Sequence, residues 1–186
     1  MDLGLLLFRL ALAAILYMHA TQKLRGWFSG PGLDRATKLF ESLGQRPGRQ
    51  MAKLAATCEG TGALLVALGL ATPLGAAILA GTMAVAGGAL TMAKGTVWNA
   101  LGGGEYPLML SVFAVVLGFT GPGRWSLDWA LGAPWYPRSN AAAALIGVVV
   151  AAVAALAAGV ALLRTRSQLS AGAVATATES APPTSA

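Results

Sequence analysis

Five runs of this chain are apolar over a length that crosses, or nearly crosses, a lipid bilayer, and this limits what it can fold into. They lie at about residues 3–23, 51–70, 74–92, 106–120 and 141–163. A membrane-spanning helix needs about 20 consecutive apolar residues. A soluble alternative has to hide several all-apolar helices from water, and these runs lack the polar faces to do so. Only 11% of residues are charged and 56% are hydrophobic, with mean hydropathy +0.66. Soluble domains carry about 25% charged and roughly 45–50% apolar residues. The expected fold is therefore all-α, a transmembrane four-helix bundle with an additional C-terminal fifth transmembrane helix.

The first span, with Arg9 and His19 inside it, leads into Lys23 and Arg25. It is read as a retained anchor rather than a cleaved signal peptide, because Met1-Asp2-Leu3 lacks a positive start. Gly30-Pro31-Gly32 then makes a turn. Leu33, Ala36, Leu39, Phe40 and Leu43 recur at helical spacing with Arg35, Lys38 and Glu41 between them. That pattern predicts an interfacial amphipathic helix over about 33–43. Thr72-Pro73 connects spans two and three tightly, and Gly121-Pro122-Gly123 ends span four. Residues 129–140 form an aromatic loop, where Trp129, Trp135 and Tyr136 join Trp125 in an interfacial belt. Residues 164–186, rich in Ser, Thr, Ala and Pro, read as a disordered cytoplasmic tail.

Charge sets the expected orientation. Lys23, Arg25, Arg35, Lys38, Arg46, Arg49, Lys53, Lys94, Arg164 and Arg166 fall on one side, and Arg124 and Arg138 on the other. Cytoplasmic loops carry the excess of Lys and Arg, so the N-terminus is expected outside and the C-terminus inside. The net charge of +6 is concentrated beside the spans. It suits the anionic inner leaflet rather than nucleic acid. Membrane lipids are thus the expected surroundings, and the sequence is compatible with a homo-oligomer.

Ionisable residues within spans are costly, and by default they are candidates for function. Arg9, His19 and Lys23 fall within an arc of roughly 80° on the first helix. Counting a rise of about 1.5 Å per residue from the basic side, His19 lies about 6 Å deep, Glu59 about 12 Å and Arg9 about 21 Å. Glu105 and Tyr106 open span four on that side. Two readings follow. Arg9 and Glu59 form a buried, register-fixing ion pair while His19 and Lys23 snorkel and Glu105 is solvated or charges a helix N-terminus. Alternatively, Arg9, His19, Lys23, Glu59, Glu105 and Tyr106 make a polar pocket or proton relay. The single cysteine, Cys58, cannot form a disulfide within the chain. One histidine cannot supply two axial haem ligands. Neither zinc spacing nor a phosphate loop is present, since no Lys-Ser/Thr follows Gly102-Gly103-Gly104, and no metal site is expected.

The order of motifs resembles the DoxX family of small bacterial integral membrane proteins. His19-x-x-x-Lys23-Leu24-x-Gly26-Trp27-Phe28-x-Gly30-Pro31-Gly32 looks like its first-span signature, and Glu59-Gly60-x-Gly62 like its second element. Gly103-Gly104-Glu105-Tyr106-Pro107 resembles the third, and Gly121-Pro122-Gly123-Arg124-x-Ser126-Leu127-Asp128 the fourth. The resemblance implies a DoxX-like membrane domain over residues 1–128 in the bacterial inner membrane, with the fifth helix as an extension. It further implies association with quinone-linked redox or oxidative-stress systems and their protein partners. A quinone is the cofactor that this suggests, and whether the chain is itself an enzyme is left open. The competing readings are a non-catalytic membrane scaffold or assembly subunit, and a small-solute carrier.

Overall fold

The computed structural model describes residues 2–179, and the side chains of residues 2–172. It is all-helical over that range, with the elements α1 (Asp2–Arg25), α2 (Gly32–Ser42), α3 (Gly48–Leu68), α4 (Thr72–Lys94), α5 (Glu105–Thr120), α6 (Leu127–Ala130) and α7 (Asn140–Glu179), plus a 3-10 turn at Asn99–Leu101. Four of them, α1, α3, α4 and α7, are long and apolar enough to cross a membrane, and α5 is a shorter apolar helix. This is a membrane protein built as a helical bundle.

The helices pack in the order α1, α3, α4, α5, and α7 lies against α4 and α5. Leu12 and Leu16 of α1, Val66 of α3, Leu79 of α4 and Leu117 of α5 meet in the centre. Small residues bring the backbones together, because lipid supplies no hydrophobic drive between apolar helices. Gly60 faces Ala20, and Gly62 faces Leu79. In the α4–α5 loop Gly104 runs against the carbonyl of Gly87 and Gly103 against the backbone of Thr96 and Val97, and a side chain at either has no room. Those glycines serve close approach, not phosphate binding.

The last apolar helix, α7, is integral to the packing. Gly118 of α5 receives Val150, Gly88 of α4 receives Leu162, and Gly147 of α7 receives the ring of Phe119. A side chain at Gly147 collides with that ring. Gly147→Val is expected to destabilise the protein by about 1–3 kcal/mol, the usual cost of overpacking a tight contact. A thermal melt in detergent measures it, and a melt unchanged from the parent contradicts this account of α7 docking.

One expectation is corrected. The stretch from Arg164 onward is helical as far as Glu179, where a disordered tail is expected from sequence. Its Ala, Leu, Arg and Gln residues are strong helix formers, and the prolines that break the pattern come only at Pro182 and Pro183. Residues 180–186 lie outside the described residues. The short α6 leads into the aromatic stretch, and residues 131–139 run without helix or strand; Ser126 caps α6 by accepting a hydrogen bond from the Trp129 amide at 3.3 Å. The amphipathic helix α2 forms as expected, and it packs its Ala36 side against the first turns of α3.

Candidate functional site

α1 and α3 lie close because Ala20 and Gly60 oppose each other. That contact sets the next residues on each helix side by side. Lys23 Nζ donates to both oxygens of Glu59, at 2.7 and 2.6 Å. Glu59 is 1% exposed and the Lys23 side chain 20%. The carboxylate is therefore taken out of solvent, while the lysine reaches it along its apolar stem with its head still partly wet. In a medium of low dielectric such a pair is held firmly, and each charge depends on the other.

One turn back along α1, His19 Nε2 lies 3.4 Å from the hydroxyl of Tyr106, with the rings 5.7 Å apart and tilted by 56°. Tyr106 stands in the first turn of α5 and is exposed. This pair bridges α1 and α5, which touch only lightly. Phe8 meets Phe113 edge-on at 6.0 Å further along the same seam. Tyr17, Met18 and Met109 are exposed around it. The histidine and tyrosine thus meet at the outer edge of the α1–α5 contact, where several apolar side chains are exposed.

Four of the six residues singled out from sequence come together as these two neighbouring pairs. Glu105 turns away, and its Oε2 accepts from the amide of Asn99 at 3.0 Å, closing the 3-10 turn. Arg9 is not at this end. It lies 14 residues before Lys23, about 21 Å along α1 at 1.5 Å per residue, so it does not pair with Glu59. The depth count placed Glu59 too near Arg9 because α3 begins well outside the end of α1. Its first turns pack on α2 instead, with Gly48 against Thr37 and Glu41.

Arg9 belongs to a second polar cluster at the opposite end. Its guanidinium is 1% exposed and donates to the Trp125 carbonyl at 2.6 Å. It also abuts Gly69, where a Cβ overlaps Nη1. Gly69 ends α3 in the left-handed conformation, φ 60°, and glycine takes that conformation without strain. Next to it Asp128, wholly buried, accepts from the amides of Ala71 at 2.8 Å and Thr72 at 2.9 Å, and from Trp135 Nε1 at 2.8 Å. The Asp128 amide returns a bond to the Gly69 carbonyl at 2.8 Å. Asp128 thereby satisfies the orphan amides at the start of α4 and complements its dipole. Sequence reasoning quoted Asp128 within a motif but gave it no role. The available signal was the Ser126-x-Asp128 run beside a short helix start, and nothing in it points to a turn 57 residues away.

Comparison with known proteins bears on the α1–α4 half. Residues 4–92 match the DoxX family model. The match includes the His19 and Glu59 motifs, and the Gly103 and Gly121 motifs lie beyond it. No curated protein and no solved structure matches the chain.

Proposed function

We propose that this DoxX-domain membrane protein is the membrane subunit of a quinone-linked redox or oxidative-stress system, and that it holds a quinone head group at the His19–Tyr106 seam. The observation that supports the reading is a hydrogen-bonding pair at the outer edge of the α1–α5 seam, among exposed apolar side chains. A tyrosine hydroxyl and an imidazole supply the donors that a quinone carbonyl oxygen accepts. Their mutual contact at 3.4 Å is long for a hydrogen bond, so either group can turn to a ligand at small cost. The exposed apolar side chains along α1 and α5 suit an isoprenoid tail.

When bound, a quinone supplies two-electron, two-proton redox chemistry. The electrons come from a partner protein, since the chain has one cysteine and no thiol pair of its own. His19 and Tyr106 fix the head group and stand where protons are exchanged. Lys23 and Glu59, one turn away, hold α1 and α3 in register so that the imidazole is correctly aimed. By the excess of Lys and Arg at this end, the site lies towards the cytoplasm of a bacterial inner membrane, with the N-terminus outside.

The test is titration of the purified chain with a decyl-substituted benzoquinone. Saturable binding is expected. Tyr106→Phe and His19→Leu each remove one net hydrogen bond, about 1 kcal/mol, and weaken binding roughly fivefold. Failure to bind, or equal binding by parent and both variants, removes the quinone reading. A scaffold role has its own support: the Lys23–Glu59 pair uses both carboxylate oxygens within the protein and needs no ligand. On that reading Glu59→Gln lowers protein level and partner recovery without changing quinone binding.

A further inference from the structure

We propose that the cleft between the α2–α3 turn and α7 binds the head group of an anionic, hydroxyl-bearing phospholipid of the phosphatidylglycerol type. The cleft is built by a specific contact between distant parts of the chain. Gln45 Nε2 donates to Thr165 Oγ1 of α7. Thr165 is 1% exposed, and its carbonyl lies against Gly44, as does the side chain of Leu169. This fixes α7 against the turn and leaves an open cleft of about 610 Å³, bounded by Glu41, Arg46 and Pro47 and, from α7, by Gln168.

Cations outnumber acids around the cleft, where Glu41 is the one acidic lining residue. Lys38, Arg46, Lys53, Arg164 and Arg166 are all exposed at this end. Among the described residues the ion pairs are Lys23–Glu59 and Arg49–Asp34, so these five cations have no carboxylate partner. A phosphodiester matches the Arg46 guanidinium. Cations beside a membrane surface attract anionic lipid at about 1 kcal/mol each. Glu41 sets the rest of the head group. Its carboxylate accepts from a hydroxyl, and the Gln168 amide offers both a donor and an acceptor. Lipid rather than free phosphate fits because α7 exposes Val160 and Leu163 in the turns before Gln168, an apolar track for an acyl chain.

The experiment uses the full chain purified in detergent, with phosphatidylglycerol, phosphatidylcholine, phosphatidylethanolamine or inorganic phosphate added back. Retained lipid is read by native mass spectrometry, and stability by thermal melt. Phosphatidylglycerol is expected to stay bound and to raise the melt, and the other three are not. Arg46→Gln should weaken retention about fivefold, the effect of one surface charge. Gln168→Glu, at an exposed position, should weaken it by a similar factor. Arg138→Gln, at the opposite end, should leave it unchanged. Equal retention of phosphatidylcholine or phosphatidylethanolamine, the same stabilisation by phosphate alone, or no effect of either cleft variant overturns the proposal. None of these readouts involves quinone, so the two proposals fail independently.

Discussion

Lys23→Met is expected to destabilise the purified protein towards the lower end of about 3–5 kcal/mol, the cost of leaving a buried charge without its partner. The lower end applies because the Lys23 side chain is still 20% exposed. Glu59 is 1% exposed and has both oxygens engaged by the one ammonium. Without Lys23 it must ionise unaided inside the bundle or take up a proton. Lys23→Met/Glu59→Leu removes both charges and is expected to regain most of the loss, since apolar replacement of a whole buried pair is often neutral or stabilising. A thermal or denaturant melt of parent, both single variants and the double variant gives the coupling free energy directly. Additive single effects contradict a direct pair. If the double variant is stable but has lost quinone binding, the pair also positions the His19 site.

Asp128→Ala is the second large effect expected. It strips three donors of their acceptor: the buried amide of Thr72, the half-buried amide of Ala71 and the indole of the more exposed Trp135. An unsatisfied buried donor costs about 1–3 kcal/mol, and the two wetter donors add less, so a loss of roughly 2–3 kcal/mol follows. The Asp128 charge also offsets that of Arg9, whose Nε and Nη1 have no hydrogen-bond partner. Asp128→Asn keeps one acceptor oxygen and is expected to lie between parent and alanine. The melt is accompanied by proteolysis of residues 121–139, which should be cut faster in both variants. A change within about 0.5 kcal/mol, the range of an ordinary surface substitution, contradicts the role given to Asp128.

Much of the fold was legible because hydrocarbon leaves few alternatives. Long apolar runs, Gly-Pro-Gly breaks and basic loops mark helices and their ends with little dependence on tertiary context. The helix α2 was equally plain from the spacing of Leu33, Ala36, Phe40 and Leu43. Partner choice was harder to read. Glu59 had two cations available on the same face of α1, Arg9 and Lys23. Which one it meets depends on how far α3 starts beyond the end of α1, and that is set by α2 packing on α3. Asp128 was hidden for a similar reason, because the amides that it serves belong to a turn remote in sequence. The extent of α7 was missed because Ser, Thr and Ala read equally well as a loose tail or, when no proline intervenes, as a helix.

That last helix has a consequence of scale. Its 40 residues make a rod about 60 Å long at 1.5 Å per residue, whereas a bilayer with its head groups is about 40–45 Å thick. Docked along α4 and α5 it has no freedom to lie flat, so one end must stand clear of the lipid. The arginines at 164 and 166 mark where it leaves, Thr165 and Leu169 still dock on the α2–α3 turn, and the roughly 10 residues beyond Leu169 form a stalk about 15 Å high. That stalk carries the last turns of α7 clear of the membrane surface.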